Sequence, residues 1–471
     1  MSEIISTIDD IAWGPVMLML LVGTGLYLTV RLGFMQFTRI PYWFRNTAGK
    51  LFHKHETGKG EITPFQALTT ALAATVGTGN IAGVTGAIFI GGPGAVFWMW
   101  LAALAGMMTK YAEVVLAVHY RERNAHGDWV GGPMYYIKNG LGKKWEWMGV
   151  VFASLAALAA FGIGNATQVQ SIADAVNNAL DSYTPNAGAT FSLFGGEVRF
   201  STLIVGCIVA GIAAMVLLGG IKRIGQVTEK MVPFMALVYI VATLSVILCN
   251  FRYLGSVFAL IFKGAFSPKA AVGASIGIMT GIKKGIGRGC FSNEAGLGSA
   301  PIAHAATSET DPVKQGLYGI FEVFMDTIVI CSLTSLTVLS AFCAGKIDIT
   351  WGSGGNGSNV AAAISSVLGS KAGALIIAVC LSLFALSTIL SWSLYGVRCC
   401  EYIFGSRSVR IYQVIFILFI IVGATMSLAD AWNLADALNG FMAIPNLIAL
   451  LALSGVTVKL TREHFEKIVS V

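Results

Sequence analysis

Charge is scarce in this chain: Asp, Glu, Lys and Arg make up 12% of its 471 residues, about half the share of an ordinary soluble domain. Without that polar surface, a large water-soluble protein is a poor reading. Cysteine gives no framework either. The eight are scattered through apolar segments with no C-x-x-C pair, which speaks against disulfide scaffolding and metal binding. Histidine is limited to positions 53, 55, 119, 126, 304 and 464, mostly in loops, and no H-E-x-x-H occurs. The metal or nucleophile–base constellation of a membrane-embedded enzyme is therefore not assembled, and no cofactor is expected. The stretch before the first apolar segment is acidic and lacks a basic n-region. That segment is also too long for a signal peptide, so it is expected to remain as a span.

What is abundant is hydrophobicity: 55% of the residues are apolar and the mean hydropathy is +0.74. Runs of about 20 apolar residues, enough to cross about 30 Å of hydrocarbon, recur along the whole length. Eleven spans are expected, at about 13–35, 63–91, 93–119, 146–178, 201–219, 228–249, 270–305, 312–341, 373–402, 408–428 and 433–456. Backbone groups in lipid must be satisfied internally, and segments this long and apolar do so as helices. The class is an all-α polytopic membrane protein.

Lys and Arg divide unevenly between the two sides. Twenty fall in loops on one side, six on the other and five inside spans. The positive-inside rule then puts the N-terminus outside and the C-terminus in the cytoplasm of a plasma (inner) membrane. The net charge of +7 accordingly serves topology and anionic lipid, with no call for nucleic acid. No soluble domain interrupts the spans. The long loop 342–372 carries Trp351-Gly-Ser-Gly-Gly-Asn-Gly-Ser358. Its apolar second half, 360–368, reads either as a short helix over the external entrance or as a solvated linker.

Two spans are wrong for unbroken helices. The second contains Thr75-Val76-Gly77-Thr78-Gly79-Asn80, and the seventh contains Gly273, Gly277, Gly281, Gly285, Gly287 and Gly289. Each glycine costs roughly 1 kcal/mol against alanine inside a helix. Both spans open a set of five, 2–6 and 7–11. Five is odd, so the second set runs inverted, and paired interruptions in inverted halves point to a transporter site near the midplane. The half-helix starting near Gly79 offers bare N–H groups to a carboxylate. The one ending near Val76 offers carbonyls to a cation. The alternative is that these glycines only permit close helix packing. A channel would need a continuous, symmetric polar pore, which two unlike broken helices do not suggest.

These residues resemble the sodium:alanine (alanine or glycine:cation) symporter family. The matching segments include Thr75-Val-Gly-Thr-Gly-Asn-Ile-Ala-Gly83, Gly131-Gly-Pro-Met-Tyr-Tyr136, Phe161-Gly-Ile-Gly-Asn165, Phe291-Ser-Asn-Glu-Ala-Gly-Leu-Gly-Ser-Ala300 and Leu386-Ser-Thr-Ile-Leu-Ser-Trp392. The resemblance implies a LeuT-like 5+5 inverted repeat behind one extra N-terminal helix. Residues 1–62 are then the extra helix and a basic loop, 63–250 and 251–457 the repeats, and 458–471 a cytoplasmic tail. It further implies import of alanine or glycine with Na⁺; a proton-coupled or glutamine-type symporter of the same fold is the alternative, and a monomer is expected. Carried over, Thr78, Gly79 and Asn80 look like the carboxylate-binding break. Gln168 looks like a polar contact, Trp392 the wall limiting side-chain size, and Ile276, Gly277 and Met279 further lining. For sodium the resemblance implies the carbonyls of Ala73 and Val76 with the hydroxyls of Ser387 and Thr388. Ser391 stands where the family more often has glycine, and Gln170 where asparagine is expected.

Charged residues inside spans are expensive and tend to mark function. Asp326 is expected near Asn80, neutralising a cation or the substrate ammonium, or else as a structural partner. Lys110 and Glu113, three apart, are expected to pair. Lys283, Lys284, Arg288 and Glu294 read as an ion-pair gate toward the cytoplasmic half of span 7. Glu322, Asp174 and His304 are left unassigned.

Overall fold

The computed structural model describes residues 8, 12–50, 57–58, 60–184, 189–193, 196–267, 271–272, 276–426 and 428–469. Three helices begin where the sequence supplies side-chain caps. Thr63 accepts from the Gln66 N–H while the Gln66 side chain accepts from the Thr63 N–H, with Pro64 next. This reciprocal box satisfies donors that a helix start leaves bare. Asp311 caps Val313 and Lys314 ahead of Pro312, and Asn356 pairs reciprocally with Asn359.

The helices that frame the two breaks include α1 (Pro15–Arg31), α2 (Pro64–Thr75), α3 (Gly79–Gly91), α4 (Ala95–His119), α5 (Lys143–Tyr183), α6 (Phe200–Leu217) and α7 (Gly220–Cys249). After them come α8 (Ile278–Asn293), α9 (Ala300–His304), α10 (Pro312–Cys343), α11 (Gly357–Leu368), α12 (Ser370–Phe404), α13 (Ser408–Thr425) and α14 (Leu428–Val469). Among the described residues eight helices are long and apolar enough to cross a membrane, and the bent pair α2–α3 makes a ninth. Of the other expected spans, the first is a shorter apolar helix, α1, and the seventh is divided into α8 and α9.

Between α2 and α3 the axis turns by 50°. Helix α3 lies antiparallel to α8: Gly91 abuts Gly281, Gly83 abuts Arg288 and Gly79 abuts Phe291. Where α2 gives way to α3, the second helix therefore also unwinds, at Glu294–Ser299, with Glu294, Gly296 and Gly298 at positive φ. Helix α9 then leads back toward the start of α2, where Ile62 and Thr307 form a bridge. Two interrupted helices thus run side by side in opposite directions with their breaks level, as an inverted repeat requires. Helix α4 lies behind them with 89% of its apolar window buried.

This register corrects the expected break in span 7. The helix is unwound at 294–299; Gly277 stands in extended backbone just ahead of α8, and Gly281, Gly285 and Gly289 serve packing. An added Cβ would sit 3.0 Å from the Gly91 carbonyl at Gly281, 2.4 Å from the Ala95 carbonyl at Gly285 and 3.2 Å from Met99 at Gly289. Spaced by four, they form one face that lets α8 press its backbone onto its neighbours; Gly273 lies outside the described residues. The gate cluster is corrected with it. Lys284 and Arg288 line a cavity of about 1070 Å³ at the end of the bundle opposite the Ile62–Thr307 bridge. Glu294 is separated from them, buried in the break. Helix α11 also borders that cavity, through Gly357 and Ser358, so the loop 342–372 does contain a helix over one mouth of the bundle.

Candidate functional site

The first break is held open by its own sequence. Past Thr75 the chain leaves helical geometry at Val76, and the Gly77 N–H is taken by the Asn80 side chain at 2.8 Å. Glycine at 77 is required by space, because a Cβ there would stand 2.6 Å from the Thr388 hydroxyl. From Gly79 to Gly83 the chain forms one wide π-helical turn, as do 162–166 in α5 and 324–331 in α10. Such turns displace backbone groups from the regular ladder and concentrate at functional sites.

Around this break the side chains gather into three groups. In the first, Asn80 donates to the Asp326 carboxylate at 2.6 Å, Ser292 donates to the same oxygen at 3.2 Å, and Thr327 donates to the other at 2.7 Å. All four are buried. Asp326 therefore does lie against Asn80, and a carboxylate at this depth, solvated only by neutral donors, attracts a positive charge.

The second group is oxygen-rich. The hydroxyls of Ser387 and Thr388 reach the Ala73 carbonyl at 3.2 and 3.0 Å, and each also reaches the Phe384 carbonyl one turn back. Oxygens of a hydroxyl pair on α12 and of the last turn of α2 thus converge, and Val76 is buried at the same helix end. Clustered neutral oxygens are the donor set that a hard monovalent cation takes where a helix is broken.

The third group borders the polar face. Thr78 donates to the Gln168 carbonyl oxygen at 3.1 Å, and the Gln168 amide is fixed on the Ile163 carbonyl at 2.8 Å. Trp392 is buried, donating from its indole to Glu294 at 3.0 Å. Gly164 lets the stem of Trp392 pack directly on α5. Ser391 beside it is buried, with no partner for its hydroxyl among the described residues. Gln170 binds the Met426 carbonyl, away from this group.

Ile276, Gly277 and Met279 are not brought here. Ile276 packs over Gly92, and Met279 is 67% exposed. Twelve residues of helix, about 18 Å at 1.5 Å per residue, separate Met279 from Phe291. Sequence reasoning placed the lining one helix too early. The missed signal was Asn293-Glu294-Ala295-Gly296-Leu297-Gly298, whose paired glycines adopt the left-handed conformation.

Sequence reasoning also misassigned two buried charges. Glu113 does not pair with Lys110. It accepts the Gly296 and Gly298 N–H groups at 3.0 and 3.1 Å and the Asn446 amide at 2.6 Å, tying down the second break. Lys110 instead binds Glu322 at 3.2 Å, and Glu322 also contacts His304 at 3.1 Å, all fully buried. The two breaks are therefore unlike. The second has the Gly296 and Gly298 N–H groups satisfied by an internal carboxylate, whereas at the first the Gly77 N–H is satisfied by the Asn80 side-chain oxygen.

Two discontinuous antiparallel helices meeting at a buried polar cluster define a secondary transporter. The chain belongs to the sodium:alanine symporter family, whose model matches residues 1–470. It is 48% identical over 98% of its length to the sodium/alanine symporter AgcS of Methanococcus maripaludis, covering 97% of that protein. It is 33% identical over 98% of its length to the probable sodium/glutamine symporter GlnT of Bacillus subtilis, covering 91% of it. Among solved structures the fold is similar to that of MhsT in complex with L-phenylalanine, with TM-score 0.58 and 15% identity, over 86% of this chain and 99% of that one. The protein is a cation-coupled amino-acid symporter with a LeuT-like fold.

Proposed function

We propose that this symporter uses the sodium gradient to import a small neutral amino acid, alanine or glycine, by alternating access. The observation that carries the sodium assignment is the convergence of Ser387, Thr388 and the Ala73 carbonyl beside the first break. The preference for a small substrate rests on Trp392 and on the 48% relative named for alanine. On this reading the substrate carboxylate meets the start of α3 at Thr78, Gly79 and Asn80, and Gln168 orients it. Phe291, packed against Gly79, replaces the residues near 277 as the lining from the second broken helix. Asp326 balances the positive charge that arrives with ion or substrate.

The oxygens near Ala73 and Val76 and the N–H groups after Thr78 belong to opposite sides of one break. Sodium on the first stiffens the second, which is how the ion promotes substrate binding without touching every contact. The basic loops support an N-terminus outside and a cytoplasmic C-terminus in the plasma membrane, so the 1070 Å³ cavity faces outward. The test is uptake of labelled alanine into proteoliposomes. An inward Na⁺ gradient should drive accumulation, and a pH gradient alone should not. Accumulation that ignores Na⁺ and follows pH would replace the sodium assignment with the proton-coupled one.

A further inference from the structure

The residue that limits substrate size is itself held in place. Trp392 is 1% exposed, and its single polar atom donates to Oε1 of Glu294 at 3.0 Å. The other carboxylate oxygen, Oε2, accepts from the Ser299 hydroxyl at 2.5 Å. Glu294 thus bridges three points: the start of the second break, its end five residues later, and the indole on α12. It does so from the left-handed region, φ 56°, ψ 16°, which a residue with a Cβ rarely occupies. That conformation is the turn by which α8 stops and the side chain points back into the bundle.

The stem of Trp392 is already fixed. Gly164 lies so close that a Cβ there would stand 2.1 Å from Cβ of Trp392, and Tyr395 packs edge-on at 5.5 Å between centroids. What the stem contacts do not fix is the rotamer of the buried indole, and on the wall reading that rotamer decides how far the ring reaches toward the first break. A buried N–H without an acceptor is costly, so the indole stays where its acceptor is. We propose that Glu294 is a positioning residue that sets the size limit of the substrate site by holding the Trp392 indole through this hydrogen bond. The inference rests on the reading of Trp392 as the wall, given above. It also couples the wall to the second break, so any movement of 294–299 during transport moves the size filter with it.

The test compares selectivity, read as the inhibition of labelled-alanine uptake by unlabelled leucine relative to unlabelled alanine, in proteoliposomes. Glu294→Met keeps volume but offers no comparable acceptor. It should raise the relative potency of leucine about tenfold, the equivalent of about 1.4 kcal/mol. Glu294→Gln retains a carbonyl acceptor and should keep the wild-type ratio. Trp392→Ala should raise the ratio by itself, and adding Glu294→Met to it should change nothing more, as expected for two residues acting through one bond. If the methionine variant does not yield folded protein, Glu294→Ala reads the same bond. A wild-type ratio in Glu294→Met, or a Gln variant as broad as the Met one, overturns the proposal while Trp392→Ala remains broadened. An unchanged ratio in Trp392→Ala overturns the wall reading itself, and this inference with it.

Discussion

At the scale of single residues, two groups carry the proposed ion site and its charge balance. Ser387 and Thr388 bond both to Ala73 across the bundle and to Phe384 one turn back. The second bond is what any helical Ser or Thr can make; the first, across the bundle, is the one a cation role uses. Thr388→Ala separates a cation role from a packing role. If its oxygen is a sodium ligand, half-saturation of transport by Na⁺ should rise by about tenfold, roughly 1.4 kcal/mol, at unchanged thermal stability. A lowered Tm with an unshifted sodium curve assigns the hydroxyl to helix packing. Asp326→Asn keeps acceptor and shape but removes the charge. Uptake should fall by more than about tenfold if Asp326 balances an incoming cation; near-normal uptake makes the carboxylate only a partner for Asn80, Ser292 and Thr327.

At the scale of elements, the glycines divide into two kinds that composition cannot tell apart. Those at 281, 285 and 289 remove bulk so that α8 can touch its neighbours, whereas those at 296 and 298 supply positive φ to an unwound segment. Gly285→Ala places a methyl 2.4 Å from a backbone carbonyl, and overpacking of this kind costs about 1–3 kcal/mol. The expected outcome is a lowered Tm in detergent with sodium dependence intact in the protein that remains folded. This division also explains what could be read beforehand. The first break was legible because Thr75 to Asn80 crowds glycine and β-branched residues at mid-span. The second was placed too early because the longest glycine run in span 7 is a packing stripe. The true break, opened by Glu294 at positive φ, is shorter and carries a carboxylate that does not resemble a turn. Eight of the expected spans coincide with helices long and apolar enough to cross a membrane and the second with the bent pair α2–α3, since hydropathy over about 20 residues reflects the membrane directly.

At the scale of the whole molecule, the buried charges form a frame behind the site. Lys110, Glu322 and His304 join α4, α10 and α9, and Glu113 ties α4 to the second break and, through Asn446, to α14. None of these partnerships follows from sequence spacing. Lys110 and Glu113 share a helix face, yet each finds its partner on a different helix, because pairing across helices satisfies more buried groups. Lys110→Met would leave Glu322 without its lysine in a dry interior, a loss of about 3–5 kcal/mol. The variant should express poorly or melt well below wild type, and Lys110→Met/Glu322→Leu should recover part of the loss. A variant as stable as wild type would show that Glu322 does not depend on the lysine.

On the proposed mechanism one discontinuous helix binds amino acid and cation together. The direct measurement is equilibrium binding of labelled alanine to the purified symporter over a range of Na⁺ concentrations, with choline keeping ionic strength constant. Alanine affinity should rise with Na⁺, and alanine should raise Na⁺ affinity by the same factor, as linkage demands. Equal alanine affinity in sodium and in choline would rule this coupling out.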